Sequence, residues 1–310
     1  MYDGRPTRAH VVATPYKGTK NMCKLMVRIG CGKGIDIMKC VINDLPIYYE
    51  EHGQGKPVLC LHRFTEDHGL MKGCLEPFFQ NTTGYRRIYL DMPGMGKTPG
   101  MDWIKNADIM LDTIKKFVGQ VIGDEGFLLI GASYGGHMSL GMAHDGEMKI
   151  DGIFLFNPCT VPDSKKRRLP DDVETFEEEG IEEFVDSENI DNSDNFFDEA
   201  VVATKETWRR YKNEVLPAHK LTDTEFCENY RANGYALSFD SELKNLQFQN
   251  PMTVFTGRQD DSAGFEDSWE LLKHLPRLTF VTLDCVGPLM QIENPEAFNF
   301  HLKDWLKRLG

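Results

Sequence analysis

Apolar positions along this chain gather into short blocks separated by segments of helix length: Pro57–Leu61, Arg87–Asp91, Phe127–Ile130, Gly152–Phe156, Met252–Phe255 and Leu278–Leu283. Blocks this short, bounded by polar or glycine-rich stretches, read as buried strands. Strands that alternate with helices are joined by crossovers, so they lie parallel and need helices on both faces of the sheet. Met110, Ile114, Phe117 and Val121 recur at helical spacing between two of the blocks, and Phe298, Leu302, Trp305 and Leu309 mark a closing helix. Ahead of the first block, residues 38–49 hold two apolar runs around Asn43 and Asp44, which predicts a hairpin.

The alternation breaks over residues 157–245, which are acidic, helical in composition and carry Trp208, Tyr211, Phe226, Tyr230 and Tyr235. The pattern therefore predicts an α/β fold with a mostly parallel central sheet and helices on both faces. Its core, residues 38–156 and 246–310, is interrupted by an inserted helical cap over 157–245, expected to present an apolar, aromatic lining. Residues 1–37 show no sustained period, so Met38 reads as the domain's start and 1–37 as a poorly ordered, non-native leader.

Composition narrows the class. The chain has 310 residues, 41% of them hydrophobic, but lacks a run of about 18 apolar residues and a secretory leader, which predicts a soluble, cytoplasmic protein. Its eight cysteines form no Cys-x-x-Cys pair, so they read as reduced thiols and not as a metal site or disulfide framework. A net charge of −13, with fourteen acidic and no basic residues over 171–199, argues against nucleic acid and anionic membrane as partners and leaves a small molecule. A basic cluster, Lys165 to Arg168, stands directly before that acidic run. The Gly94-x-Gly96-Lys97-Thr98 stretch lacks phosphate-loop spacing, and Gly30-x-Gly32-x-Gly34 has no strand before it, so no cofactor is expected.

The chemistry centres on Gly131-Ala-Ser-Tyr-Gly135, which follows the apolar block 127–130 and opens a helix-like segment. Small residues on either side allow a sharp strand-to-helix turn that projects the Ser133 hydroxyl, with the helix dipole favouring negative charge nearby. Together with this motif, several stretches make the chain resemble the α/β-hydrolase superfamily, in its serine-nucleophile branch with an inserted cap, over residues 38–310. They are Leu61-His-Arg-Phe64, Asp91-Met-Pro-Gly-Met-Gly96, Thr256-Gly-Arg-Gln-Asp260 and Leu283-Asp-Cys-Val-Gly287, followed by Gln291-Ile-Glu-Asn-Pro-Glu296. The resemblance implies an α/β-hydrolase fold with Ser133 as nucleophile and Asp260 as the acid that orients a base. It implies that the backbone N–H groups of Tyr134 and Phe64 form the oxyanion hole.

Two positions depart from that pattern. Pro288 stands where the superfamily places its histidine, and proline holds no proton and has no backbone N–H to donate. Arg63 replaces the usual oxyanion-loop glycine. Either it strains a glycine-only conformation, or it is accommodated and offers a guanidinium to an anionic ligand. His62 reads as a packed loop support and His137 as buried beside the serine, which leaves His68 as the substitute-base candidate. The expectation is a serine hydrolase acting on a small carboxylic ester or related acyl compound, its activity impaired by Pro288. The alternative is a non-catalytic binding protein that keeps the pocket.

Overall fold

Asn43 and Asp44 both adopt left-handed backbone, with φ of 47° and 67°, which is the geometry a two-residue hairpin turn requires. They join β3 (Asp36–Ile42) to β4 (Leu45–His52) in antiparallel register, Ile42 facing Leu45. The computed structural model describes residues 10–11, 25–28 and 36–310. The leader reading, along with Cys23, Cys31 and the Gly30–Gly34 motif, otherwise falls outside the described residues. Two short strands, β1 (His10–Val11) and β2 (Leu25–Arg28), pair through backbone onto the β3 edge, where the pattern predicts none. Edge pairing uses main-chain groups and needs no side-chain period.

Beyond the hairpin the chain alternates as expected: β5 (Lys56–Leu61), α1 (His68–Phe79), β6 (Tyr85–Leu90), α2 (Ala107–Val121), β7 (Phe127–Ala132), α3 (Tyr134–His144) and β8 (Ile150–Phe156). After an insertion come β11 (Met252–Gly257), α9 (Glu266–Leu272), β12 (Leu278–Leu283), α10 (Met290–Glu293) and α11 (Pro295–Lys307). The sheet runs β1-β2-β3-β4-β6-β5-β7-β8-β11-β12, and every pairing from β6 to β12 is parallel. Because β7 lies centrally and is buried on both faces, a residue at its carboxyl end sits at the middle of the sheet's active edge. Met110, Ile114, Phe117 and Val121 of α2 pack one face, and Phe298, Leu302 and Trp305 of α11 pack the other, as the periodicity predicts.

Between β8 and β11 the chain leaves the sheet. It forms a two-stranded parallel ribbon, β9 (Phe176–Glu177) with β10 (Val202–Ala203), and the helices α4 (Ile181–Ser187), α5 (Asn195–Glu199), α6 (Lys205–Glu214), α7 (Leu216–His219) and α8 (Thr224–Gly234). Thr204 caps α6 reciprocally with Thr207, which fixes where that helix starts. Trp208, Tyr211 and Phe196 are fully buried in the same cluster as α1 residues Leu70 and Met71. No helix among the described residues is long and apolar enough to cross a membrane.

Candidate active site

Ser133 lies between the last residue of β7 and the first of α3 with φ 45° and ψ −111°, a conformation that costs energy for any residue with a Cβ. The surroundings hold it there. Its N–H donates to the Phe156 carbonyl at 3.1 Å, and its own carbonyl accepts from His137 N at 3.1 Å and Cys159 N at 3.0 Å. Gly135 is obligatory for the turn: a Cβ there would stand 2.3 Å from the Leu61 carbonyl oxygen and 2.6 Å from that of His62. The Gly135 N–H donates to that same His62 carbonyl at 3.1 Å, which draws the elbow against the loop after β5.

The loop brings Arg63 and Phe64 beside the serine. Among the described residues, no acceptor lies within hydrogen-bond reach of the backbone N–H of Phe64 or Tyr134. His62 is fully buried, with Nε2 accepting from Met92 N at 2.9 Å and Nδ1 donating to the Arg63 carbonyl at 2.6 Å. Burial lowers its pKa and keeps the ring neutral, so it is the loop support expected of it.

Arg63 takes no left-handed backbone; the loop's positive φ, 67°, belongs to Thr65. Of the two outcomes open to Arg63, strain is therefore the wrong one. Its Nη2 lies 2.9 Å from Glu199 Oε2 of the insertion, while its Nη1 is buried without a hydrogen-bond partner. Arg63, Phe64 and Ser133 all line a cavity of about 730 Å³.

Asp260, three residues beyond β11, is buried under the same edge of the sheet. Its Oδ1 accepts from Ser262 N at 2.9 Å and Ala263 N at 3.0 Å, and its Oδ2 has no hydrogen-bond partner. Burial raises the carboxyl to about 6 against the pull of those two N–H groups and Arg63. Pro288 is buried at the end of the neighbouring loop. Asn157 braces that loop to the strand beside it, donating to the Gly287 carbonyl at 2.8 Å and accepting from Gly257 N at 3.0 Å. No motif along the chain marks Asn157, whose role arises from a φ of 42° at the end of β8.

His68 does not join this group, and the substitute-base expectation is corrected. It starts α1, donates from Nδ1 to Asp91 Oδ1 at 2.8 Å and places Nε2 3.0 Å from Glu50 Oε1. Burial alone would lower its pKa, but these two carboxylates raise it to about 9, so both nitrogens are protonated and engaged. His137 is fully buried within α3, and burial pushes it down to about 4. Among the described residues no histidine lines the cavity with Ser133.

The lining also departs from the aromatic surface expected of the insertion. Trp208 and Tyr211 are consumed by the core, and Tyr230 is buried with its hydroxyl 2.5 Å from that of Tyr134. Large rings bury the most area inside, so they pack the insertion onto the sheet. Among the described aromatic residues of the insertion only Tyr235 reaches the cavity, beside Arg167, Arg231 and Asp163. The sequence pattern singles out neither arginine, although Arg167 belongs to the basic cluster that precedes the acidic run.

A family model described as "Serine aminopeptidase, S33" matches residues 54–284. The chain is 25% identical over 272 residues to a "2-hydroxy-6-oxononadienedioate/2-hydroxy-6-oxononatrienedioate hydrolase" of Paraburkholderia phymatum, covering 85% of this chain and 91% of that protein. Over 116 residues it is 28% identical to a pimeloyl-[acyl-carrier protein] methyl ester esterase of Legionella pneumophila, covering 37% and 43% of the two chains. An α/β superfamily hydrolase from Oenococcus oeni PSU-1 superposes with a TM-score of 0.76 at 29% identity, over 85% of this chain and 96% of that one.

Proposed function

We propose, for a chain that belongs to the serine aminopeptidase S33 family of the α/β-hydrolase superfamily, that it is a serine hydrolase of small acyl compounds whose turnover is limited by the loss of its histidine. The observation that carries this reading is the strained backbone of Ser133, which lines the cavity. Such strain persists only where the surrounding structure enforces it. The hydroxyl of Ser133 attacks an ester or related carbonyl, losing its proton to water because no histidine takes it, and the Tyr134 and Phe64 N–H groups receive the oxyanion. The carbonyl–oxygen bond to the alcohol then breaks, the alcohol leaves with a proton from water, and water hydrolyses the acyl-enzyme at Ser133 to the free acid. Asp260 is the acid left without the base it would orient. The segment 157–245 acts as a cap over the site, and Arg63 binds the ligand. The two named hydrolases among the relatives support acyl substrates, one of them a methyl ester by its name. The six described cysteines are free thiols, which supports a reducing, cytoplasmic location.

One observation favours a second reading, a non-catalytic protein that binds a small molecule. Asp260 Oδ2 is buried and unpartnered, and Pro288 cannot shuttle a proton. A general base contributes typically about 100- to 10,000-fold, so its loss leaves only binding and the oxyanion hole. Hydrolysis of a short-chain p-nitrophenyl ester, measured beside the Ser133→Ala variant, separates the two. Slow turnover that disappears in the variant, with fluorophosphonate labelling confined to Ser133, is the expected result. Identical background rates and no labelling would leave the binding protein.

A further inference from the structure

Among the described residues, the cavity beside Ser133 carries more positive charge than its own carboxylates neutralise. Arg167 donates from Nε to the Val161 carbonyl at 2.7 Å, from Nη1 to the Ser262 carbonyl at 2.7 Å, and from Nη2 to the Pro162 carbonyl at 2.9 Å and Cys159 Sγ at 3.2 Å. These acceptors satisfy its protons but leave its charge without a counter-ion, and among the described residues no carboxylate pairs with it. A part-buried cation held by carbonyls, with no carboxylate paired to it, favours an anion in the cavity it faces. Arg231 stands 4.8 Å over the Phe64 ring and 5.9 Å from the Tyr235 ring, also without an acidic partner among the described residues. The ring faces hold the guanidinium while its N–H edge stays open.

The acids on the wall do not cancel this. Asp163 pairs with Lys166 at 3.1 Å and caps the turn over Ser164–Lys166, while Asp108, which accepts from Ser238 N at 2.9 Å, offsets only one of the guanidinium groups on the wall. Arg63, which also lines the cavity, pairs with Glu199 through Nη2 and holds a buried Nη1 donor that has no acceptor.

We propose that this cavity takes acyl compounds bearing a free carboxylate, such as half-esters of dicarboxylic acids, with Arg231 gripping the carboxylate and Arg167 contributing fixed positive charge. The substrate class deepens the hydrolase reading, but the binding itself does not depend on turnover. A carboxylate distal to the reacting carbonyl would be anchored on the cap side and would aim that carbonyl at Ser133.

The test is calorimetric titration of the full chain carrying Ser133→Ala, using monomethyl and dimethyl esters of four- to eight-carbon dicarboxylic acids and inorganic phosphate. The half-ester should bind about tenfold or more tighter than the diester, the order expected of a charge-assisted hydrogen bond, and its affinity should fall with added salt. Adding Arg231→Gln should abolish the preference, and Arg231→Lys should restore part of it. Arg231 makes no hydrogen bond among the described residues, so neither variant removes one from the fold. Equal binding of the two esters, no binding of either, a preference that survives in Arg231→Gln, or tighter binding of phosphate would each overturn the carboxylate assignment. Fluorophosphonate labelling of the unmodified protein reports separately on the hydrolase reading, so one can fail without the other.

Discussion

Asp260 is a buried carboxyl with one oxygen left without a hydrogen-bond partner. Its carboxyl sits at about 6 in the folded chain against 3.8 for an ordinary aspartate, because burial is not matched by its hydrogen bonds. An acid whose folded pKa is raised stabilises the fold fully below its unfolded value and loses that contribution as pH rises through the folded one. Between about pH 4 and 6 the native state therefore binds the extra proton, and stability falls by on the order of 3 kcal/mol across that window. Asp260→Asn, which keeps the Oδ1 acceptor but cannot ionise, should match the unmodified protein near pH 4 and melt at higher temperature at pH 8. Thermal melts of the two proteins across this range check it; a gap that does not widen with pH would show the Asp260 charge to be compensated. Asp260 was singled out by the strand-end motif, whereas its unpartnered oxygen was not legible, since that depends on which atoms the fold brings within reach. Arg63 is the reverse case: the substitution was visible, and the backbone angle that makes it harmless was not.

At the scale of the element, the strand-turn-helix over residues 127–144 separates two kinds of glycine. Gly135 has no room for a methyl group against the Leu61 and His62 carbonyls. Gly119, exposed within α2, has nothing within 4 Å of where a Cβ would stand and no positive φ. Gly135→Ala should therefore destabilise by about 2 kcal/mol or more and disturb labelling of Ser133, while Gly119→Ala should stabilise by about 0.4–1 kcal/mol by reducing unfolded-state freedom. Urea unfolding of both variants reads the opposite signs. The motif around Ser133 was legible because a tight turn restricts which residues can occupy it. The environment of His68 at the start of α1 was not, because nearness along the chain to the loop after β5 says nothing of what packs against the ring. The packing of β4 and β6 delivers Glu50 and Asp91 to its two nitrogens.

Over the whole molecule, the loop that carries Pro288 ties the insertion to the sheet. Glu293 accepts from Val201 N at 2.7 Å and Val202 N at 3.2 Å through one oxygen, and from Gly287 N at 2.7 Å through the other. Burial raises this carboxyl to about 7 against those three N–H groups. Glu293→Ala should accordingly speed hydrogen exchange at Val201, Val202 and Gly287 together, a joint response that a purely local contact would not give. Pro288→His should raise ester turnover by about 100-fold or more if Asp260 Oδ2 takes up the new ring nitrogen. Steady-state rates beside the unmodified chain measure it, and no gain would mean that the loop no longer presents position 288 to Ser133.

The reading of Asp260 as an orienting acid and of position 288 as a missing histidine rested on the family resemblance, whereas periodicity and turn chemistry alone determined the parallel sheet, the opening hairpin and the tight turn at Ser133. Each is written in local spacing, in which residues can turn, span or bury, and local spacing survives in a linear chain. The identity of the cavity wall was decided only by the tertiary structure. Trp208, Tyr211 and Tyr230 were drawn into the core because burying large apolar surface outweighs any advantage of leaving it at a pocket. Arg167 and Arg231, 64 residues apart in the chain, reached one cavity because the insertion folds back over the sheet edge, and no pattern along the sequence encodes that meeting.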